Sequence, residues 1–440
     1  MTRSDAINPE NSPELIVVGA GLAGLCAART LARAGRRVLV LEAARHIGGR
    51  VHSLEVSGYV LDAGFIGMFP AYPAARRQFD YAALDLVPLL PSAVLRQPGG
   101  VTEIVGDPRH DAAALAGDLS ASALTGADRL HAARLAADLL AAGPAHRLLA
   151  GPDTSAVRLL RAYGFSERSL ERFFAPFFGG LVMDRTLETS ANLFRYYLRM
   201  MIDGGVAIPC RGMSELPRQL AQGLDIRLGV RVDALQSAGG RVTLHTSAGE
   251  MSAPQVIVAA DPPAAARLVG DHPSDPRPIN KGSLGSSYVH FAAPETLEHQ
   301  PRLQLNARSG GHLNQVLWLS EVFPARVPVG RGLLIASLWG IPAADDAALI
   351  GLAREELREW YGSAVDVLEP LAVHRIPHTQ YPQPAGYAAA LPGQATRIDG
   401  VLLASEATSL SGIQGALESG EKAAAAVLGD LDTLSRPRGA

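Results

Sequence analysis

Gly19, Gly21 and Gly24 stand at the spacing G-x-G-x-x-G in IVVGAGLAGLCAA, and an acid, Glu42, closes the following run RVLVLE. Glycines at these places allow a tight turn, a close approach of backbone to a pyrophosphate, and close packing of a helix on a strand, with free N–H groups aimed at the anion. A carboxylate at Glu42 accepts hydrogen bonds from ribose hydroxyls and repels a 2′-phosphate. The chemistry expected is binding of a dinucleotide without a 2′-phosphate; the plain alternative is a glycine-rich turn followed by a surface acid. The sequence shows no metal-ligand cluster and no nucleophile–base pair that would act in its place, so no metal is expected.

Further along, ARHIGGRVHS supplies Arg45, Gly48, Gly49 and Arg50. Two adjacent glycines let the backbone pass close to a ligand, and either arginine can offset phosphate charge. The C-terminal stretch GVLLASEATSLSGIQGALESGEKAAAAVL reads as a strand at Val401–Ala404, an acid at Glu406, and a glycine-rich opening to an alanine-rich helix over Gly412–Ala426. HRIPHTQYPQPAGYAAALPG holds His374, His378, Gln380, Tyr381 and Tyr387, and its prolines favour an extended, loop-like path. His378, Gln380 and Tyr387 are the candidate catalytic residues, since a histidine near its ordinary pKa can move a proton. A satisfied structural histidine is the plainer reading.

The R-x-x-G-G-R pattern after the ribose acid resembles the FAD-dependent amine oxidase, phytoene desaturase and protoporphyrinogen oxidase superfamily. That resemblance implies a Rossmann-type (GR2-like) FAD-binding α/β domain with an interleaved α+β substrate domain. It implies that LDAGFIGMF, with Gly64 and Phe65, returns to the flavin, and that the backbone near Val232 contacts the adenosine. Glu406 replaces the aspartate that usually holds the ribitol, and Ile413, Gln414 and Gly415 would offer N–H groups to the flavin pyrimidine, stabilising its reduced anion. Two departures from amine oxidases stand out. The place of their flavin-adjacent lysine falls at Ser286, with Lys281 outside that strand, and the cysteine that attaches flavin in monoamine oxidases is missing, so FAD is expected to be noncovalent.

The elements that must carry these residues are a strand at 14–18, a helix at 25–34 and a strand at 37–41. In the middle of the chain Ser214 reads as a helix N-cap, before strands in IRLGVRVDALQ, RVTLHTS and PQVIVAA. Cofactor segments at the start, middle and end give a cofactor domain of 14–67, 204–275 and 397–432, a substrate domain of 68–203 and 276–396, and tails at 1–13 and 433–440. The first insertion reads as mostly helical, including DRLHAARLAADLLAA. The second contains SSYVHFAA, NQVLWLS and GLLIASLWG as strands and ALIGLAREELREWYG as a helix. ERFFAPFFGGLVMD places Phe173, Phe174, Phe177 and Phe178 at helical spacing, where packing into a core is the ordinary reading and lining of an apolar tunnel the other.

At 440 residues the chain is long enough for two or three domains, and a net charge of -3 gives no general attraction to nucleic acid. Cys26 and Cys210 read as reduced thiols, which suits the cytoplasm. Apolar runs are broken before they could span a bilayer; peripheral membrane contact stays open. The resulting expectation is hydride transfer from a mainly apolar small molecule to flavin N5, giving C=C or C=N. Its alternatives are an amine oxidase, a flavin-dependent isomerase, or a non-catalytic binder resembling the Rab GDP-dissociation inhibitors. No motif identifies the electron acceptor among oxygen, quinone and carrier proteins.

Overall fold

The computed structural model describes residues 13–64, 67–97, 100–107, 110–115, 122–271 and 275–429. The expected tails, apart from Pro13, and Phe65 lie outside the described residues. Leu15–Val18 is buried throughout because it runs between two parallel partners, Val38–Glu42 and Gln255–Val258. A strand covered on both faces needs a continuous apolar run, and LIVV is one. Val401–Leu403 and Asp225–Leu228 extend the edges to five parallel strands, in the spatial order 401–403, 255–258, 15–18, 38–42, 225–228. This is the Rossmann-type α/β arrangement. Helices Leu22–Arg33 and Ile413–Leu428 pack against each other beside this sheet.

The stretch that reads as one strand, IRLGVRVDALQ, is divided between two sheets. It breaks at Gly229, whose φ of 73° is open to glycine at little cost. Before the break Asp225–Leu228 joins the parallel sheet; after it Val232–Ala238 joins an antiparallel sheet with Arg241–Thr246 and Gly249–Ala253. Ser214 stands at the expected N-cap position, without the expected side-chain bond. Its hydroxyl makes no cap bond to the helix Glu215–Ala221 and instead accepts the Ser53 N–H at 2.6 Å.

A seven-stranded sheet runs in the order 369–380, 284–293, 332–339, 313–318, 303–306, 92–96, 102–106. Its last two strands, Ser92–Arg96 and Thr102–Gly106, come from the part of the chain that reads as mostly helical. Both are only five residues long, too short for their alternation to be decisive. His374–Gln380, the beginning of the stretch expected to follow an extended, loop-like path, belongs to a twelve-residue edge strand, Glu369–Gln380. An edge tolerates Pro370 and Pro377 because a strand there needs N–H donors on one side only. On the neighbouring strand Leu284–Ala293, Val289 and Phe291 pack toward Leu349, Ala353 and Leu357 of the helix Asp346–Tyr361, and Tyr288 faces the opposite side.

Leu170–Gly179 winds as a wide helix with Pro176 inside it. The broad turn suits a segment in which proline removes one donor. Phe174 and Phe178 are buried, while Phe173 and Phe177 are half-buried and stacked, with ring centroids 5.6 Å apart. Among the described residues no helix is long and apolar enough to cross a membrane.

A buried ion pair ties the two regions together. Arg326 Nη1 lies 2.8 Å from Asp62 Oδ2, with both side chains at most 5% exposed. Arg326 also donates to the carbonyls of Cys210 and Pro209, and Asp62 accepts from Ser53 Oγ and the Met213 N–H. Arg326→Leu leaves the Asp62 charge buried without its counter-ion, and a loss of about 3–5 kcal/mol is expected in denaturant titration. Adding Asp62→Asn should recover part of that loss; a single-variant loss below about 1 kcal/mol would show that the pair does not hold the regions together.

Candidate functional site

A cavity of about 1470 Å³ runs from the glycine turn to the phenylalanine cluster. This exceeds the roughly 300–1,000 Å³ that accommodates one drug-sized ligand, so there is room for a dinucleotide and a second molecule. At the turn the three glycines serve different ends. A Cβ on Gly21 would meet nothing within 4 Å, because the residue faces the cavity. One on Gly19 would lie 2.7 Å from the Ala259 carbonyl oxygen, and one on Gly24 only 2.0 Å from that of Gly19. The first of these glycines leaves space for a ligand and the other two allow packing, as a dinucleotide turn requires.

Glu42, Gly48, Gly49, Arg50 and Val232 line the same end. Gly48 donates to the Ala20 carbonyl at 2.7 Å, which holds the G-G-R segment against the turn. Glu42 accepts from the N–H groups of Ala20 at 2.7 Å and Ala44 at 2.8 Å, so its carboxylate is fixed at the strand end. Arg45 is exposed and is not among the lining residues, and Gly64 packs against Tyr288 and Ile376. At the other side Gly412 and Ile413, which open the C-terminal helix, face the cavity. Gln414, expected at the cofactor, is not among the lining residues, and its side chain accepts the Ala74 N–H at 3.0 Å.

Glu406 lines the cavity with a side chain 2% exposed. Its Oε1 lies 2.8 Å from Arg50 Nη2 and 3.3 Å from His378 Nε2. Its Oε2 accepts from Ser411 Oγ at 2.9 Å and the Gly412 N–H at 3.3 Å. Burial alone would raise this carboxyl; Arg50, followed by His378 and Ser411, outweighs it and brings the pKa down to about 2. Behind it Lys281 donates to the Ala407 carbonyl at 2.8 Å and lies over the Tyr381 ring. Burial lowers the Lys281 ammonium to about 8, with the Glu406 charge acting in the opposite direction.

The candidate catalytic residues are divided by the wall of the cavity. Gln380 lines it, donates to the Leu181 carbonyl at 2.7 Å, and leaves its Oε1 without a protein partner. His378 and Tyr387 are buried but are not among the lining residues. The cause is a register irregularity: Ser286 pairs with Ile376, yet Leu284 pairs with Gln380, so the edge strand carries extra residues there. Such a bulge re-aims side chains. It brings Ile376, Thr379 and Gln380 to the cavity and leaves His378 against Glu406. Ser286, at the place compared with the amine oxidase lysine, is fully buried and bonds Thr379 Oγ1 at 2.7 Å and Tyr288 Oη at 2.9 Å.

Thr379, Tyr288 and Gln315 also line the cavity and were not singled out from sequence. The alternation of SSYVHFAA carries a signal for Tyr288; the position of Thr379 depends on the bulge. Neither Cys26 nor Cys210 lines the cavity, and among the described residues no group of three or more His, Cys, Asp or Glu could hold a metal. The residues present fit FAD: open space over Gly21 at a helix N-terminus, Arg50 for anionic charge, Glu42 for a ribose, and a second helix N-terminus across the cavity.

The family described as "Flavin containing amine oxidoreductase" matches residues 22–428. A phytoene dehydrogenase from Streptomyces griseus is 30% identical over 314 residues, covering 64% of this chain and 61% of that protein. A putrescine oxidase from Kocuria rosea is 50% identical over 66 residues, covering 14% of each chain. The chain therefore aligns with less than two thirds of either relative. A putative protoporphyrinogen oxidase structure from Exiguobacterium sp. 255-15 superposes with a TM-score of 0.71 at 19% identity, covering 94% of this chain and 98% of the other, which is a likeness of fold.

Because a side chain at Gly21 meets only open cavity, Gly21→Val should change stability by no more than about 1 kcal/mol while abolishing FAD binding. Flavin absorbance of the purified variant, with its thermal midpoint alongside, checks both halves. A folded variant that retains FAD would place the cofactor elsewhere.

Proposed function

The chain belongs to the flavin containing amine oxidoreductase family, and we propose that it is an FAD-dependent oxidoreductase acting on a neutral, mainly apolar small molecule. The observation that carries this reading is the lining of the cavity away from the glycine turn. Phe173, Phe174, Phe177, Phe178 and Phe194 form its wall, with the carboxamides of Gln315 and Gln380 as polar groups. The acids on that side, Asp107 and Asp203, are partly or fully exposed, and Asp203 is already paired with Arg199 at 2.7 Å. A substrate ammonium buried among the phenylalanines would lack a counter-ion, and isolated buried charge is costly. A neutral chain or ring meets no such cost.

FAD, held noncovalently, supplies a hydride acceptor, so that a substrate C–H gives up hydride while a neighbouring proton leaves and C=C or C=N forms. The chain's own residues do the rest. Gly21 and Arg50 take the anionic part of the cofactor, Glu42 its ribose, and Glu406 the polyol between its two ends. The N–H group at Ile413 faces negative charge that develops at the cavity edge. The phenylalanines exclude water and orient the substrate, and Gln380 Oε1 accepts from a substrate hydroxyl or amide. Tyr387 supports the wall from behind. No side chain among the phenylalanines is a general base, so both hydrogens, the proton along with the hydride, would pass to FAD, which suits a substrate whose C–H bond is already weakened by conjugation.

Anaerobic addition of a conjugated polyene, or of another neutral apolar substrate, is expected to bleach the oxidised flavin and give a product lighter by two hydrogens. A primary alkylamine should bleach it at least about tenfold more slowly, given the cost of an unpaired buried charge. Rapid bleaching by the amine alone would overturn the neutral-substrate reading in favour of an amine oxidase. A product of unchanged mass would indicate isomerisation, and protein that takes no FAD would indicate a binder.

A further inference from the structure

The proposed function leaves His378 without a part, yet the residue is held from two sides. Its Nδ1 is 2.7 Å from Ser283 Oγ, and its Nε2 is 3.3 Å from Glu406 Oε1. The imidazole is 8% exposed and the carboxylate 2%. The two contacts restrict the tautomer. With the proton on Nδ1, a neutral ring would turn the Nε2 lone pair toward a buried carboxylate oxygen, which is repulsive. With the proton on Nε2, the ring turns its positive edge toward Glu406 across 3.3 Å, a charge contact without hydrogen-bond alignment, and accepts the Ser283 hydroxyl at Nδ1, so both contacts are attractive.

Glu406 is the member of this chain of contacts that lines the cavity; His378 lies behind it. The other groups around the carboxylate are Arg50, Ser411 and the Gly412 N–H, with Lys281, Tyr197 and Tyr381 close enough to feel its charge. Arg50 reaches Oε1 from the G-G-R segment, and it is itself anchored to the Thr379 carbonyl at 2.6 Å and the His378 carbonyl at 3.2 Å. Oε2 is held by the residues that open the C-terminal helix. His378 approaches Oε1 from the edge strand, so its removal leaves that oxygen to Arg50 alone.

We infer that His378 is a positioning residue for the flavin site: with its tautomer set by the Glu406 charge and its ring held by Ser283, it fixes the Glu406 carboxylate in the geometry that receives FAD. This inference rests on the flavin reading above and adds to it a residue that touches neither cofactor nor substrate. Its consequence is specific to the donor at Nε2. A side chain that keeps an N–H at that place should keep the site; one that fills the same volume without a donor should not.

The test uses the full-length protein with FAD removed and added back. His378→Leu should weaken the FAD dissociation constant by about tenfold, because losing an electrostatic contact with a buried carboxylate is worth about that factor in an equilibrium constant. It should also shift the flavin midpoint potential. His378→Gln, whose amide reaches the place of Nε2, should remain within about threefold of wild type, and Ser283→Ala should fall between. Equal losses in the Leu and Gln variants would reduce His378 to packing, and wild-type affinity and potential in the Leu variant would overturn the inference outright. If His378→Leu does not fold, Ser283→Ala and His378→Gln still decide. Nitrogen-15 NMR of the apoprotein supplies an independent readout: a proton on Nε2 is expected, and one on Nδ1 would overturn the inference whether or not FAD binds. Failure of wild-type apoprotein to take FAD would instead remove the flavin reading.

Discussion

Hydrogen is the largest group tolerated at Gly420. A Cβ there would come within 2.4 Å of the Ala23 carbonyl oxygen and 2.9 Å of Cys26 Cβ, so the first and last helices of the chain touch backbone to backbone. The position of the second helix N-terminus at the site depends on that close approach. It sets the start of the C-terminal helix, Gly412 and Ile413, across the cavity from the glycine turn that begins the first helix. Two helix N-termini then face one space, and a ligand with an anionic middle and an electron-accepting end can meet both. Arg77, Gln78 and Ala74 brace the arrangement from the side through Glu421 and Gln414.

Charge in the interior follows a consistent pattern. Glu406 and Asp62 are nearly inaccessible, and each is surrounded by several donors as well as an arginine. Without those donors the desolvation of a carboxylate would exceed what one ion pair returns. The difference lies in what each pair faces. Asp62 and Arg326 face protein on all sides and join segments distant in sequence, whereas Glu406 opens on the cavity and keeps its charge where a ligand can meet it. The phenylalanine wall offers no comparable charge, so the two ends of the same cavity differ in polarity.

Much of the cofactor end is legible in the amino-acid sequence. Gly19, Gly21, Gly24 and Glu42 announce themselves because spacing along a short strand–turn–helix unit determines their relative positions, and Gly48, Gly49 and Arg50 follow a few residues later. Glu406 and Ile413 are legible for the same local reason. The seven-stranded sheet is only partly so. Its long strands Leu284–Ala293 and Gly332–Trp339 are apolar runs long enough to be read, but Ser92–Arg96 and Thr102–Gly106 are too short, and Glu369–Gln380 carries prolines that normally argue for a loop. Pairing with a distant strand overrides those local preferences.

Sequence by itself determined the dinucleotide turn, the acid after it, the parallel sheet and the helix that returns at the C-terminus, because each is encoded by periodicity or spacing over a few residues. Only the tertiary structure decided which polar groups reach the cavity. His378, Thr379 and Gln380 are adjacent in the chain, yet a slip in pairing against Leu284 and Ser286 sends one toward Glu406 and the other two into the cavity. The edge strand advances four residues, from Ile376 to Gln380, where its partner advances two, and the two extra residues interrupt the regular alternation so that neighbouring side chains no longer take opposite faces. That interruption depends on a partner almost a hundred residues away, and no local pattern records it.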